Sequence, residues 1–293
     1  MDPAAPGTVK GLISRHGFWI KKSLGQNFLV DGNIVRKIVT ATDPLPGETV
    51  VEIGPGLGAL TRLLAERAKQ VIAVEIDGAL FPVLGETLAG LDNVTLVEQD
   101  ALKTDFNRLV HEISGGENKK YKVAANLPYY ITTPLLMHLL EERFSISTIV
   151  VMVQEEVARR LTAAPGSGEY GAVTVATNFY AQTRMLFRVP RPVFIPRPEV
   201  DSAVVRLEVR DTPAVSVADE QHFFTLVRAA FQQRRKTLLN ALSGVDEHLS
   251  RGKWLDIFRH ADIDPGRRGE TLDLQEFARL ANVFSSVLTE EPD

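Results

Sequence analysis

The stretch Thr49–Arg62, TVVEIGPGLGALTR, constrains the fold of this chain more than any other. A β-branched run (Val50, Val51, Ile53) leads into Gly54, Gly56 and Gly58, after which Leu57, Leu60, Leu63 and Leu64 recur at helical spacing. β-Branched side chains suit a pleated strand, and glycine lets the backbone take positive φ and lets a ligand approach closely. Strand, glycine turn and helix in that order predict a hook for a phosphate or nucleoside, with free N–H groups at the helix start. The spacing Gly54-x-Gly56-x-x-Ala59 also satisfies a loose dinucleotide fingerprint, so the hook alone does not choose the ligand.

The next two strands narrow the choice. Gln70–Asp77 reads as a second strand carrying Glu75, 21 residues past Gly54, where an acid can accept hydrogen bonds from ribose hydroxyls. A helix over Ala79–Leu91 is expected next, then a third strand from Val94 that closes on Asp100. Ligands of an open parallel sheet bind beyond the carboxyl ends of its strands, so Glu75 and Asp100 should line one crevice. A dinucleotide enzyme has no standard use for the second acid, whereas an adenine amino group could donate to it.

A fourth strand, Tyr121–Asn126, runs directly into Leu127-Pro128-Tyr129-Tyr130. Asn126-Leu-Pro-Tyr129 resembles the catalytic motif of methyltransferases acting on exocyclic amines of bases. The glycine hook (Gly54, Gly56), Glu75 and Asp100 resemble the S-adenosylmethionine site of the class I methyltransferase fold. Lys22-x-x-Gly25-Gln-Asn-Phe-Leu29, Phe194-Ile-Pro-Arg-Pro198, Arg234-Arg-Lys-Thr-Leu238 and Asp264-Pro-x-Arg-Arg268 extend the likeness from about Lys10 to Asn282. Together they resemble the ribosomal RNA adenine dimethylases, in particular the branch that dimethylates two adjacent adenosines in the 3′-terminal hairpin of 16S rRNA.

The resemblance implies an α/β architecture: a Rossmann-like methyltransferase domain over residues 1–210 with a basic N-terminal arm, and a helical, rRNA-facing domain over 211–293. It implies S-adenosylmethionine held by Asn27, Leu29, Gly54, Gly56, Glu75, Asp100 and Asn126. It further implies that the Asn126 amide oxygen and Leu127 carbonyl each accept an adenine N6–H, aiming the lone pair at the methyl group. Pro128 stiffens the turn, Tyr129 offers a stacking face worth ~1–3 kcal/mol, and Phe194 is expected as a second aromatic wall. No general base is needed before attack, because the leaving proton becomes acidic only once the nitrogen is methylated. Alignment can supply ~7–11 kcal/mol of the rate gain.

Basic residues interleaved with Phe18 and Trp19 between Lys10 and Phe28 suit RNA, whose phosphates Lys21 and Lys22 would meet while bases stack; a solvated arm is the plainer alternative. Arg234, Arg235 and Lys236, on the helix that carries Phe223, Leu226, Val227, Ala230 and Phe231, read either as an rRNA contact or as a solvated face. Asp31 is placed to cap a helix with Ile34, Val35, Ile38 and Val39 on one side. A net charge of −4 argues against non-specific coating of nucleic acid. With no cysteine, disulfides and cysteine-ligated zinc are excluded, and the six histidines show no ligand-like clustering, so no metal is expected. No secretory signal or membrane span is read, the first ~8 residues are expected to be unstructured, and the chain is expected to be cytoplasmic and monomeric. The competing functions are a non-catalytic small-subunit assembly factor, a resistance-type 23S rRNA methyltransferase and, remotely, a nicotinamide oxidoreductase.

Overall fold

A computed structural model describes residues 3–21, 24–116 and 119–289. The chain divides into two compact units, Met1–Ala158 with Thr183–Val209, and Arg159–Gln182 with Arg210–Asp293. The sequence reading placed residues 159–182 in the first unit, and the structure assigns them to the second.

In the first unit, α1 (Pro6–His16) precedes the two-residue strand β1 (Phe28–Leu29), followed by α2 (Gly32–Thr42), β2 (Thr49–Ile53), α3 (Ala59–Ala65) and β3 (Gln70–Glu75). Next come α4 (Phe81–Thr87), β4 (Val94–Glu98), α5 (Phe106–Ile113), β5 (Tyr121–Asn126), α6 (Thr132–Glu141) and β6 (Ile146–Gln154). Helix α7 (Glu155–Leu161) and strand β7 (Ala181–Val189) each carry a boundary between the units, with α8 (Ala172–Tyr180) between them. The short β8 (Phe194–Ile195) and then β9 (Ser202–Val209) complete the unit.

Seven strands form one sheet in the order β4-β3-β2-β5-β6-β9-β7. β2 runs parallel to both β3 and β5, and β9 returns antiparallel to β6. The order reverses between β2 and β5, which opens a crevice at their carboxyl ends. Both faces of these central strands are covered, so Val50, Val51, Val71, Ile72, Val123 and Val150 are all fully buried, as a parallel sheet requires.

Asp31 caps α2 as expected, accepting the amides of Asn33 at 2.8 Å and Ile34 at 3.1 Å. The helix buries Val35, Ile38 and Val39 against Val50, Leu64 and Ala124. The helix expected over Ala79–Leu91 is shorter: a 3-10 turn at Gly78–Leu80 precedes α4, which starts with Pro82 in its first turn and stops before Gly90 at φ 82°. Proline fits the first turn because it has no N–H to leave unpaired there.

The N-terminus departs most from expectation. Residues 6–16 are helical, closed by Gly17 at φ 60°, and Val9 and Leu12 pack against Leu80, Val83 and Leu84. Arg15 and His16 bond the Glu86 carboxylate at 2.5 and 2.6 Å. Phe18 is buried edge-on to Phe28, whereas Trp19 is 87% exposed.

The second unit joins α8 to α9 (Glu220–Gln232), α10 (Leu238–Leu242), α11 (Arg251–His260) and α12 (Leu274–Thr289). Phe179 stacks on Phe223 and Tyr180 on Phe224, and Trp254 stacks on Phe284. Among the described residues no helix is long and apolar enough to cross a membrane.

Candidate active site

A cavity of about 300 Å³ opens where β2, β3 and β5 end, with residues 24–29 as a further wall. Asn27, Leu29, Gly54, Gly56, Glu75, Asp100, Asn126, Leu127, Pro128 and Tyr129 all line it. The sequence-predicted cofactor residues and the Asn-Leu-Pro-Tyr turn thus stand around one space.

Gly54 (φ 71°) and Gly58 (φ 83°) hold the hook in left-handed backbone. At Gly56 (φ 58°) closeness matters too, since a Cβ would lie 3.2 Å from the Phe28 ring. The hook carries the chain from β2 over the crevice, and α3 begins at its end.

Glu75 Oε1 accepts the amides of Ile76 at 3.0 Å and Asp77 at 2.9 Å. Burial pushes its carboxyl above the ordinary range, opposed by these bonds and by the Gly56 amide. Asp100, about a third exposed, accepts the Leu102 amide at 3.0 Å. Asn126 ends β5 and donates Nδ2–H to the Asn27 carbonyl at 3.0 Å, which directs its amide oxygen the opposite way. The Leu127 side chain is buried, and its amide donates to Met152 O at 3.3 Å. The Tyr129 hydroxyl shares a 2.8 Å hydrogen bond with Ser202 Oγ, and burial raises its phenol above the usual value. Tyr129 is therefore a fixed neutral ring, suited to stacking rather than to proton transfer.

One cavity residue escaped the sequence reading. Glu52 lies in the middle of the apolar run of β2, only 1% exposed, and its Oε2 has no hydrogen-bond partner among the described residues. Burial, opposed by Thr61 and reinforced by the Glu75 charge, pushes its carboxyl up to about 8. The available signal was a charged residue inside a strand that otherwise reads as buried on both faces.

The lining is electrostatically one-sided. Glu52, Glu75 and Asp100 bring carboxyl groups to it, and among the described lining residues there is no Lys, Arg or His; Lys103, off the lining, pairs with Asp100 at 3.7 Å. S-Adenosylmethionine, with sulfonium and ammonium against one carboxylate, is net positive and carries ribose hydroxyls and an adenine amine as donors. An acid-lined cavity closed by a glycine hook fits that group. Among the described residues no group of three or more His, Asp or Glu is placed to hold a metal ion.

Other expectations need correction. Phe194 does not wall the cavity: it is 3% exposed, its backbone pairs with Leu29 across β1–β8, and its side chain packs with Met152, Val189 and Val204. Lys21 Nζ bonds the buried Asp77 carboxylate at 2.7 Å, so it tethers the arm rather than facing a phosphate. Lys22 lies outside the described residues. Arg234, Arg235 and Lys236 occupy the turn after α9, not the helix, because α9 ends at Gln232 and α10 starts afresh at Leu238. Arg234 bonds Gly168 O at 2.8 Å and Glu270 at 3.3 Å within its own unit, whereas Arg235 and Lys236 are exposed.

Comparison with known proteins identifies the family. The family model described as ribosomal RNA adenine dimethylase matches residues 17–285. A ribosomal RNA small subunit methyltransferase A of Pelotomaculum thermopropionicum is 54% identical over 96% of this chain and 97% of its own length. The protein of the same name from Moorella thermoacetica is 56% identical over 96% of this chain and 98% of its own. Among solved structures, a dimethyladenosine transferase from Plasmodium falciparum aligns with TM-score 0.75 at 26% identity, covering 88% of this chain and 98% of that one. The 23S rRNA methyltransferase ErmE aligns with TM-score 0.66 at 28% identity, covering 88% and 99%. With an acid-lined class I cavity, an Asn-Leu-Pro-Tyr turn at its rim and a family match along most of its length, the chain belongs to the ribosomal RNA adenine dimethylases.

Proposed function

We propose that this chain transfers methyl groups from S-adenosylmethionine to N6 of two adjacent adenosines in the 3′-terminal hairpin of 16S rRNA, dimethylating each during small-subunit biogenesis. The observation that carries this reading is the placement of Asn126–Tyr129 on the wall of the cation-seeking cavity, with the Asn126 amide oxygen directed away from its bond to Asn27. Identity above 50% to proteins named for the small subunit, against 28% to a 23S enzyme, favours 16S rRNA as the substrate.

When bound, S-adenosylmethionine supplies an electrophilic methyl group on a sulfonium whose departure leaves a neutral thioether. Glu75 and Asp100 hold its adenosyl end by accepting from ribose and adenine, and the glycine hook lets it approach the backbone. Asn126 Oδ1 and the Leu127 carbonyl accept the two N6 hydrogens of the target adenine, favouring a pyramidal nitrogen. Tyr129 stacks on the base, worth ~1–3 kcal/mol. After the first transfer the methylated nitrogen, now acidic, gives one proton to solvent and a single N–H remains, so one of the two acceptors holds the nitrogen for the second. Arg235 and Lys236 are assigned to the rRNA-facing surface, where each phosphate contact would add to the salt dependence of binding. The chain works in the cytoplasm as a monomer.

The test is methyl transfer from labelled S-adenosylmethionine to 30S subunits lacking their dimethyladenosines, followed by mass mapping of the RNA. Two adjacent dimethyladenosines in the 3′-terminal hairpin are expected. Label taken up by 23S rRNA in a parallel assay, with none entering the 30S subunits, would replace this reading with the resistance-type one. No transfer despite cofactor binding would favour an assembly factor.

A further inference from the structure

Glu52 is a buried acid for which the transfer chemistry has no task. Its cross-strand neighbours are Ala73 on β3 and Ala124 on β5, so neither neighbouring strand offers it a polar side chain at that position. From α3 it is faced by the Thr61 hydroxyl, the group that opposes the effect of burial, although neither that oxygen nor Glu52 Oε2 completes a hydrogen bond among the described residues, and from α2 the cavity receives only Val35 and Ile38. The charged group toward it is Glu75 at the end of β3, of its own sign, while Asp100, elsewhere on the same cavity, is paired with Lys103 at 3.7 Å. On β5 the cation Lys122 is bonded to Asp43 O and Glu48 instead. An isolated carboxylate cannot stay ionised in such surroundings without a counter-charge.

We propose that Glu52 holds a proton in the free protein and gives it up to solvent when positively charged S-adenosylmethionine enters, so that cofactor capture releases a proton. This rests on the cofactor assignment above. The cofactor's net positive charge then stands against a carboxylate that existed only as the neutral acid beforehand. Two consequences follow. Affinity for the cofactor rises with pH, approaching tenfold per pH unit, and levels off near the value of about 8 at which Glu52 ionises unaided. S-Adenosylhomocysteine, which lacks the sulfonium charge, draws out less of the proton, so its affinity rises less steeply with pH and the cofactor's advantage over the product widens.

Calorimetric titration of the full-length protein at pH 7, in buffers of different ionisation enthalpy, reads the proton count directly. The cofactor's own α-amino group titrates in the same region, ~7.7–8.0, but it is common to the product and to measurements on a variant. Wild type should release close to one proton with S-adenosylmethionine and clearly less with S-adenosylhomocysteine. Glu52→Gln should bind with no release above that of the amino group and a correspondingly shallow pH profile. Equal release by wild type and E52Q, or binding without release, would overturn the proposal while leaving the cofactor assignment intact. Absence of cofactor binding by wild type would overturn both. Should E52Q fail to fold, infrared difference spectra of wild type decide: loss of a protonated-carboxyl band on cofactor addition supports the proposal, and its persistence refutes it.

Discussion

Asp77 offers the sharpest quantitative test of how the N-terminal arm builds the site. Its carboxylate, 2% exposed as a side chain, accepts Lys21 Nζ at 2.7 Å, Gln26 Nε2 at 2.7 Å and the Ala79 amide at 3.1 Å. Burial alone pushes this carboxyl up, but Lys21, Gln26 and Ala79 together hold it below the ordinary value of 3.8. Asp77→Asn keeps the shape but turns an acceptor into an N–H donor facing Lys21 or Gln26. At ~1.5–3 kcal/mol for a hydrogen bond to a charged group, the loss should be about 2–3 kcal/mol. The figure stays below that of a fully buried pair because Lys21, 47% exposed, can return to water. A depressed carboxyl contributes stability above its unfolded value and loses it as pH falls through the folded one. The gap between wild type and variant, measured by urea unfolding, should therefore be full at pH 7 and close in strong acid. Gln26 and Asn27 line the cavity, and Asn27 O orients Asn126, so cofactor affinity and transfer rate should fall together. Equal stability at pH 7, or a gap that does not narrow in acid, would show that the arm is not held through this carboxylate.

Asn126→Ala should lower methyl transfer by about 10²-fold or more while cofactor affinity in calorimetry changes less than tenfold, since it removes an acceptor used on the incoming amine. Gly58→Ala forces a Cβ into backbone at φ 83°, 3.0 Å from Leu88 Cδ2 and Thr87 Oγ1, and should cost about 2–3 kcal/mol in thermal unfolding. In free protein, Glu52→Gln should match wild type near pH 4 and be the more stable at pH 8, by up to roughly 4 kcal/mol. The raised acid loses stability as pH climbs from its ordinary 4.5 toward about 8, while Gln does not titrate.

The parts of the site that sequence reasoning located are those whose chemistry is local. A β-branched run followed by glycines can only become a strand and a sharp turn, and Glu75 and Asn126 stand at the ends of strands defined by their own composition, with Asp100 two residues past the end of β4. The parts it misplaced depend on distant partners. Pro6–His16 contains two glycines and a proline, and it is helical because Val9 and Leu12 find Leu80, Val83 and Leu84 some seventy residues on. Phe194 carries an aromatic ring fit for a binding wall, but pairing with Leu29 puts it in the core. Lys21 and Arg234 looked available as cations until Asp77 and the 168–170 backbone came within reach. Glu52 was hidden for the opposite reason: a strand pattern is read by its apolar members, and the exception carried the information.

The second unit is assembled from two stretches of chain separated by Thr183–Val209, and this has a consequence during synthesis. Phe179 and Tyr180 leave the ribosome well before Phe223 and Phe224, the rings that cover them. At about 5–20 residues per second, α8 waits several seconds with its aromatic face uncovered. Truncation after Val209 would make that exposure permanent, so a shortened chain should accumulate as aggregate or be captured by chaperones rather than persist as a free catalytic half.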